Sequence, residues 1–483
     1  MISLRSSFLL GSALLLGACA VGPNYQRPAV DAPTAFKEAP AGWKPAEPQD
    51  AQARTKWWEV FGDSELSALV ERVAGANQTL REALANYNRA QALARQARAD
   101  FFPTLSANVN TNRGSASTSS STSAGRGAVT VDQASLSAAW EPDLWGRVRR
   151  SVESENASVA ASRADLESSK LSLQAQVVQN YFQLRIADAQ RALLDEAVQA
   201  YTRSLDLTRN RYTQGVVTRA DVAQAQAQLA SAQAQWTEVD IARAQLEHAI
   251  ATLVGVAPSA LTIVAKPELA QAVTLPAVPG LLPSQLLERR PDIAGAERRV
   301  AAANAQIGVA QAAWFPVLDL SGTLGYRNTR WTDLLSAPNR VWSLGASLVE
   351  TIFDGGARSA TVDAAVASYD ASVASYRQTV LSAFQEVEDN LTTLRVLADE
   401  ANYQREAVRA ARESLDLTIN QYKAGTVSYL NVITAQTTLL GNQQNELNLR
   451  SRQLVASAVL IRALGGGWQA DTTADAGAPL AGR

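Results

Sequence analysis

Ser204-Leu205-Asp206-Leu207-Thr208, followed by Asn210, Tyr212, Gly215, Val217, Val222, Ala225, Gln226 and Leu229, decides the architecture because it occurs twice. It returns as Ser414-Leu415-Asp416-Leu417-Thr418 with Asn420, Tyr422, Gly425, Val427, Val432, Ala435, Gln436 and Leu439, every residue 210 positions further on and without a gap. Upstream, Ala97, Ala99, Phe102, Pro103 and Leu105 pair with Ala310, Ala312, Phe315, Pro316 and Leu318 at a spacing of 213. Solenoid units repeat every ~20–50 residues, so this is a tandem duplication of a whole module.

Around the repeated turn the sequence is helical. Residues 147–212 contain neither proline nor glycine, and Leu166, Leu173, Val177, Phe182 and Leu184 recur at helical spacing. The spacing predicts long helices over about 146–212 and 356–422, shorter ones over 217–253 and 427–461, and helical segments over 78–100 and 291–313. One glycine separates each long helix from its shorter partner, in Tyr212-x-x-Gly215 and Tyr422-x-x-Gly425. Glycine there reads as the left-handed residue that ends a helix, giving two antiparallel hairpins. A helix of about 65 residues is ~100 Å long, and helices of about 23 and 37 residues end to end reach ~90 Å. Two short helices can therefore lie along each long one.

Between the helices, residues alternate in character. Leu105, Ala107 and Val109 interleave with Ser106, Asn108 and Asn110; Leu136, Ala138 and Trp140 share one face. Leu318, Leu320, Leu324 and Tyr326, then Trp342, Leu344, Ala346 and Leu348, repeat the pattern. Ten-residue strands with one apolar and one small polar face suit an outer-membrane barrel, or a sandwich with one face in solvent. A serine-rich stretch from Gly114 to Gly127 suits an exposed loop. Four strands cannot enclose an open lumen, whereas three copies supply twelve; burying the sheet edges requires that closure.

The ends indicate location. Arg5, an apolar stretch from Phe8 to Leu16, and Leu16-Gly17-Ala18-Cys19 have the layout of a secretory signal ending at a lipidation cysteine. The alternative is an ordinary signal with an incidental cysteine. Cys19 is the only cysteine, so no intramolecular disulfide can form. Several acyl chains on it anchor firmly to a bilayer. The proline-rich run from Val21 to Pro48 suits an extended tether. A formal net charge of −2 gives no reason to expect nucleic-acid binding. The single histidine, His248, has no second histidine or cysteine beside it for a zinc-type cluster. Glu386, Glu388 and Asp389 read as a solvated helix face or a tunnel lining. Arg289, Arg290 and Asp292 read as a helix start with Pro291 in its first turn. Neither catalysis nor a cofactor or metal is expected.

The run Leu287-Glu-Arg-Arg-Pro-Asp-Ile-Ala-Gly-Ala-Glu297, continuing to Trp314-Phe315-Pro316, resembles the signature of TolC-like outer-membrane factors. So do Val21-Gly-Pro-Asn-Tyr-Gln-Arg-Pro28 and Leu144-Trp145-Gly146-Arg147, and the similarity is greatest to NodT-type lipoproteins of resistance–nodulation–division efflux systems. Alanine at position 20 is compatible, in lipoproteins of that kind, with export to the outer membrane. The resemblance implies a mainly α fold with a small β part: a homotrimer, a twelve-stranded barrel with four strands per protomer, and a long helical periplasmic barrel. It implies an outer-membrane channel of a tripartite efflux system, docked to a periplasmic membrane-fusion adaptor and, through it, to an inner-membrane pump. It divides the chain into signal peptide 1–18, lipidated tether and equatorial part 19–63, first repeat 64–254 with strands at about 104–113 and 129–143, linker 255–283, second repeat 284–464 with strands at about 317–328 and 340–353, and tail 465–483.

On the same resemblance the adaptor-docking hairpin tips are Tyr212, Gly215, Val217 and Thr218 with Tyr422, Gly425, Val427 and Ser428. Both tyrosines are expected to pack beneath their turns. The periplasmic aperture falls at Asp221, Asn431 and Thr434. Family members often carry acids at the second-repeat positions, and Asn431 and Thr434 are neutral, so strong cation preference is not expected. Two other classes fit part of the pattern. A structural outer-membrane lipoprotein with coiled-coil helices explains the helices and lipid but not the strands; a passive porin explains the strands but not the helices.

Overall fold

The computed structural model describes residues 20–31, 33, 35–38, 56–115, 128–275 and 289–466. The expected signal peptide and Cys19, most of the serine-rich loop, residues 276–288 and the tail beyond residue 466 lie outside the described residues. The elements run α1 (Ser64–Ala76), α2 (Gln78–Ala99), β1 (Thr104–Ser115), β2 (Ala128–Trp140), α3 (Arg147–Thr213), α4 (Arg219–Leu253), α5 (Pro291–Ala312), β3 (Val317–Asn328), β4 (Arg340–Val349), α6 (Ala357–Lys423) and α7 (Tyr429–Ala463). The long helices are 67 residues each and their partners 35 each, so the two hairpins are equal in length. Strand β2 stops at Trp140, ahead of Pro142, which cannot donate to a ladder. Strand β4 stops at Val349 because the residues after it start a helix: Asp354 accepts from the backbone N–H of Gly356 and Arg358. No helix among the described residues is long and apolar enough to cross a membrane.

The chain forms two compact units, each assembled from both repeats. Among the described residues the first comprises 20–29, 86–115, 128–162 and 296–376. Its centre is one antiparallel sheet of order β1-β2-β3-β4, in which Leu136 lies opposite both Ala107 and Leu324. The register puts Leu105, Val109, Leu136, Leu324, Trp342, Leu344 and Leu348 on one face. All seven are exposed, from 44% at Leu136 to 80% at Leu344. A sheet that leaves this much apolar surface uncovered is built for a non-aqueous neighbour. At the helix-bearing end, Trp145 stacks on Phe315 with centroids 4.9 Å apart and donates its indole N–H to the Pro316 carbonyl at 2.7 Å. Residues just past Cys19 are stapled there. Val21 N–H donates to the Trp145 carbonyl, and the buried Arg150 guanidinium donates to the carbonyls of Val21 and Gly22 and to Asn24 Oδ1. Gly22 (φ 98°) lies where a Cβ would fall 2.4 Å from Gly308 Cα, so only glycine passes.

The second unit comprises the described residues within 30–85, 163–275, 289–295 and 377–466. Its main core joins Trp57, Trp58, Phe61, Leu66 and Val70 to Tyr181, Phe182 and Leu184 of α3, Ile250 of α4 and Leu454 of α7. Here the pseudo-symmetry extends to single atoms. Gly255 and Gly465, 210 apart, both have positive φ and follow the short helices α4 and α7. A Cβ on either would strike a carbonyl oxygen, that of Ala76 at 2.2 Å or of Arg289 at 2.1 Å, residues 213 apart. The next residues divide the same task between different side chains: Asn77 Nδ2 donates to the Leu253 carbonyl at 2.8 Å, and Arg290 Nη1 to the Ala463 carbonyl at 2.9 Å. Each supplies a donor that a helix C-terminus otherwise lacks.

Beside this core is a buried ionic cluster. Asp188, with no exposed side-chain surface, accepts from Arg185 at 2.9 Å, from Arg243 at 2.7 Å and from the Lys266 backbone N–H at 3.0 Å. Arg185 also reaches Glu65 at 2.8 Å and the Val264 carbonyl at 2.7 Å. Removing one member of a buried pair costs about 3–5 kcal/mol, because the other charge is left uncompensated. Asp188→Ala therefore lowers the thermal unfolding temperature of the detergent-purified protein by several degrees, whereas cutting the exposed pair Arg409–Glu406 leaves it unchanged. Equal unfolding temperatures for the two variants would refute a structural role for the cluster.

Candidate functional site

The candidate site is the pair of turns that close the hairpins. At the end of α3, Gly215 has φ 74°; its N–H donates to the Tyr212 carbonyl at 2.9 Å, and Val216 N–H to the Arg211 carbonyl at 2.9 Å. At the end of α6, Gly425 has φ 78°; its N–H donates to the Tyr422 carbonyl at 3.0 Å, and Thr426 N–H to the Gln421 carbonyl at 3.0 Å. These are two Schellman caps with the same pair of backbone bonds, each with an αL residue at the glycine. Both lie in the second unit, and their hairpins share a small core of Leu205, Ala225, Tyr422, Tyr429 and Val432, with Val427, Ile419 and Val222 packed against it.

The helix starts beyond the turns are not alike. Thr218 closes a full capping box: its hydroxyl accepts from Asp221 N–H at 3.3 Å, and Asp221 Oδ2 accepts from Thr218 N–H at 2.8 Å. Ser428, its counterpart, makes no side-chain capping bond. Asp221, expected at the aperture, thus also serves as a cap. Asn431 and Thr434 are exposed on α7, and Thr434 returns its hydroxyl proton to the Leu430 carbonyl at 3.0 Å.

The two tyrosines also part company. Tyr422 is buried beneath its turn, as expected, whereas Tyr212 is 44% exposed. Tyr422 belongs to the small shared core and is also covered by Arg211, which the second repeat replaces with Gln421. Its guanidinium lies 4.6 Å from the Tyr422 ring centroid and donates to the Tyr422 carbonyl at 2.5 Å. The Tyr422 hydroxyl is 3.4 Å from Thr208 Oγ1; its ring lies 5.4 Å from that of Tyr429, whose hydroxyl is 3.1 Å from Ser204 Oγ. Burial pushes the Tyr429 phenol above its ordinary value, so it stays protonated. Arg211 and Tyr429 were not among the expected site residues. Their sequence signal is a break in the repeat: Arg211 stands against Gln421, and Arg219 against Tyr429.

Behind the turns, α3, α6 and α7 enclose a groove of about 570 Å³ lined by Ser204, Leu207, Arg412, Asp416, Tyr422 and Gln436. Gln436 Oε1 is buried there without a hydrogen-bond partner. Among the described residues no group of His, Cys, Asp and Glu could hold a metal.

The family model described as "Outer membrane efflux protein" matches residues 69–256 and 282–466. The pyoverdine export outer membrane protein OpmQ of Pseudomonas aeruginosa is 32% identical over 475 residues, 97% of this chain and 98% of that protein. The antibiotic efflux pump outer membrane protein ArpC of Pseudomonas putida is 32% identical over 464 residues, 95% of each. Among solved structures, the outer-membrane channel OprN has a TM-score of 0.85 at 32% identity, covering 94% of this chain and 100% of that one.

The caps give a differential expectation. Replacing an N-cap threonine costs about 1 kcal/mol. Thr218→Ala speeds hydrogen exchange in the first turn of α4, while Ser428→Ala leaves the first turn of α7 as it was. Equal acceleration at both sites would refute the cap asymmetry.

Proposed function

The chain belongs to the outer membrane efflux protein family, and from that premise we propose that its two hairpin turns are the periplasmic end of an export conduit and the docking point for an adaptor. It is the outer-membrane channel component of a tripartite efflux system, a trimeric β-barrel-and-helix fold with a periplasmic helical part, and a channel rather than an enzyme. The finer assignments are our reading. Three chains assemble; a membrane-fusion adaptor contacts Tyr212, Gly215, Val217 and Thr218 with Tyr422, Gly425, Val427 and Ser428; an inner-membrane pump of the resistance–nodulation–division class drives transport; and acylated Cys19 tethers the N-terminus to the outer membrane. A conduit equally similar, at 32%, to a pyoverdine exporter and an antibiotic efflux channel takes its cargo from the pump.

The observation that carries this reading is the turn geometry. Two Schellman turns with exposed glycines stand beside each other on hairpins sharing one apolar core, and the groove behind them keeps a buried amide oxygen without a donor. An adaptor hairpin offering polar side chains to that groove satisfies it. With Asn431 and Thr434 neutral, the second repeat supplies no carboxylate ring at the aperture, and the Asp221 carboxylate of the first is engaged in capping. Closure rests on Arg211, which ties the first hairpin to the second through the Tyr422 ring and carbonyl. Adaptor binding opens the aperture only by its differential affinity for the state in which this tie is broken.

Arg211→Ala removes both contacts and raises the resting conductance of the trimer in planar bilayers several-fold. Tyr422→Phe keeps ring and carbonyl and leaves conductance near that of the parent. Val217→Asp combined with Val427→Asp abolishes co-purification of the adaptor while the particle remains trimeric by mass. A parental conductance in Arg211→Ala would overturn the closure mechanism; undiminished adaptor recovery from the aspartate variant would overturn the docking assignment.

A further inference from the structure

The apolar face of the sheet ends in arginine at both edges. On β1 the outward series is Leu105, Ala107, Val109, Thr111, Arg113; on β4 it is Leu348, Ala346, Leu344, Trp342, Arg340. Both arginines are exposed, and neither has an ion-pair partner among the described residues. The nearest acid on that face, Asp132, is 5% exposed and accepts from Thr111 Oγ1 at 2.8 Å. The helices join the sheet at the opposite end, through Ala99, Arg147, Ala312 and Ala357, and Arg113 and Arg340 stand at the loop end. In a periplasm-facing helical protein the loop end is the extracellular one. Leu105 and Arg113 lie eight residues apart, ~27 Å of strand, which at a tilt of about 40° spans ~21 Å of the ~25 Å apolar band of an outer-membrane barrel and leaves the long arginine side chains able to reach its rim. Both guanidinia therefore sit at the outer-leaflet boundary, where an arginine costs little, rather than at mid-depth, where it costs ~2–4 kcal/mol.

Strands β1 and β4 are the two edges of the sheet. When three sheets close into one barrel, β4 of one protomer borders β1 of the next, so Arg340 of one and Arg113 of the other flank the same seam. We propose that each of the three seams binds a phosphorylated lipid of the outer leaflet, its phosphates held by this arginine pair and its acyl chains lying on Trp342, Leu344 and Val109. The guanidinium fork matches a phosphate in two parallel hydrogen bonds, and an unpaired exposed arginine beside an apolar wall has the chemistry for an anionic lipid headgroup. The site is incomplete in one protomer and rests on the trimeric-barrel reading. Arg327, on the other face of β3, points away from the lipid and takes no part.

The test is native mass spectrometry of the delipidated trimer titrated with diphosphorylated lipid A and with the same lipid stripped of phosphate. The expected result is up to three molecules of diphosphorylated lipid bound per trimer, and binding about tenfold or more weaker for the dephosphorylated one. Arg113→Gln with Arg340→Gln weakens the diphosphorylated lipid to that level; Arg327→Gln does not. Equal binding of the two lipids by the parent protein, or unchanged binding by the double variant, overturns the proposal. If the double variant fails to assemble, the comparison of lipids on the parent decides alone. A parent that is not trimeric by mass overturns the barrel reading itself, an outcome the same spectrum separates from loss of lipid.

Discussion

Asp188 has no exposed side-chain surface, yet three donors from three segments converge on its carboxylate. Arg185 comes from the same long helix, Arg243 from its partner α4, and the Lys266 amide from the extended strand of chain that follows α4. Through Arg185 and Lys266 the cluster reaches Glu65 at the start of α1. An unpaired charge at this depth is prohibitive, so the geometry is all or nothing. Long helices with many small residues slide past one another cheaply, since alanine offers few interlocking side chains. The ionic cluster fixes the register that the helix faces leave loose, and the hairpin turns, some 24 residues further along α3 (Asp188 to Tyr212), inherit that register.

The duplication supplies a frame, and the differences between copies supply the device. Gly215 and Gly425, Gly255 and Gly465, and Tyr212 and Tyr422 hold equivalent positions with equivalent backbone bonds. Where the side chains diverge, the copies take different jobs. Arg211 reaches across to Tyr422, and its counterpart Gln421 carries no charge to offer Tyr212; Tyr422 is buried and Tyr212 is presented to solvent. Asn77 and Arg290 cap equivalent helix ends, but Arg290 also bonds Asp292 and Glu386, so the second copy gains ties the first lacks.

In the first unit the governing constraint is backbone satisfaction. The four-stranded sheet leaves the outer edges of β1 and β4 without ladder partners, with a largely exposed apolar face between them. The apolar face suits hydrocarbon, but the unpaired backbone edges do not unless they pair with further strands. The membrane therefore imposes the oligomer, and residues at those two edges acquire neighbours that a single chain does not have.

Periodicity and the repeat by themselves determined the helices, the four strands and the glycine turns, because those depend on backbone propensity and side-chain alternation within a few residues. Gly215 and Gly425 are legible since only a residue without Cβ ends a helix with positive φ at low cost. The family is legible because the motifs around Pro291 and Trp145 mark places where chain segments from distant parts must meet. What only the tertiary structure decided is which of two equivalent residues does the work. That Tyr422 and not Tyr212 is covered, that Asp221 caps its own helix, and that Asn77 and Arg290 serve one purpose all depend on neighbours more than 170 positions away or on a cap bond no pattern of hydrophobicity records. Local sequence specifies where an element begins and ends; the partner across the interface, set by packing between copies of the module, specifies what its side chains touch.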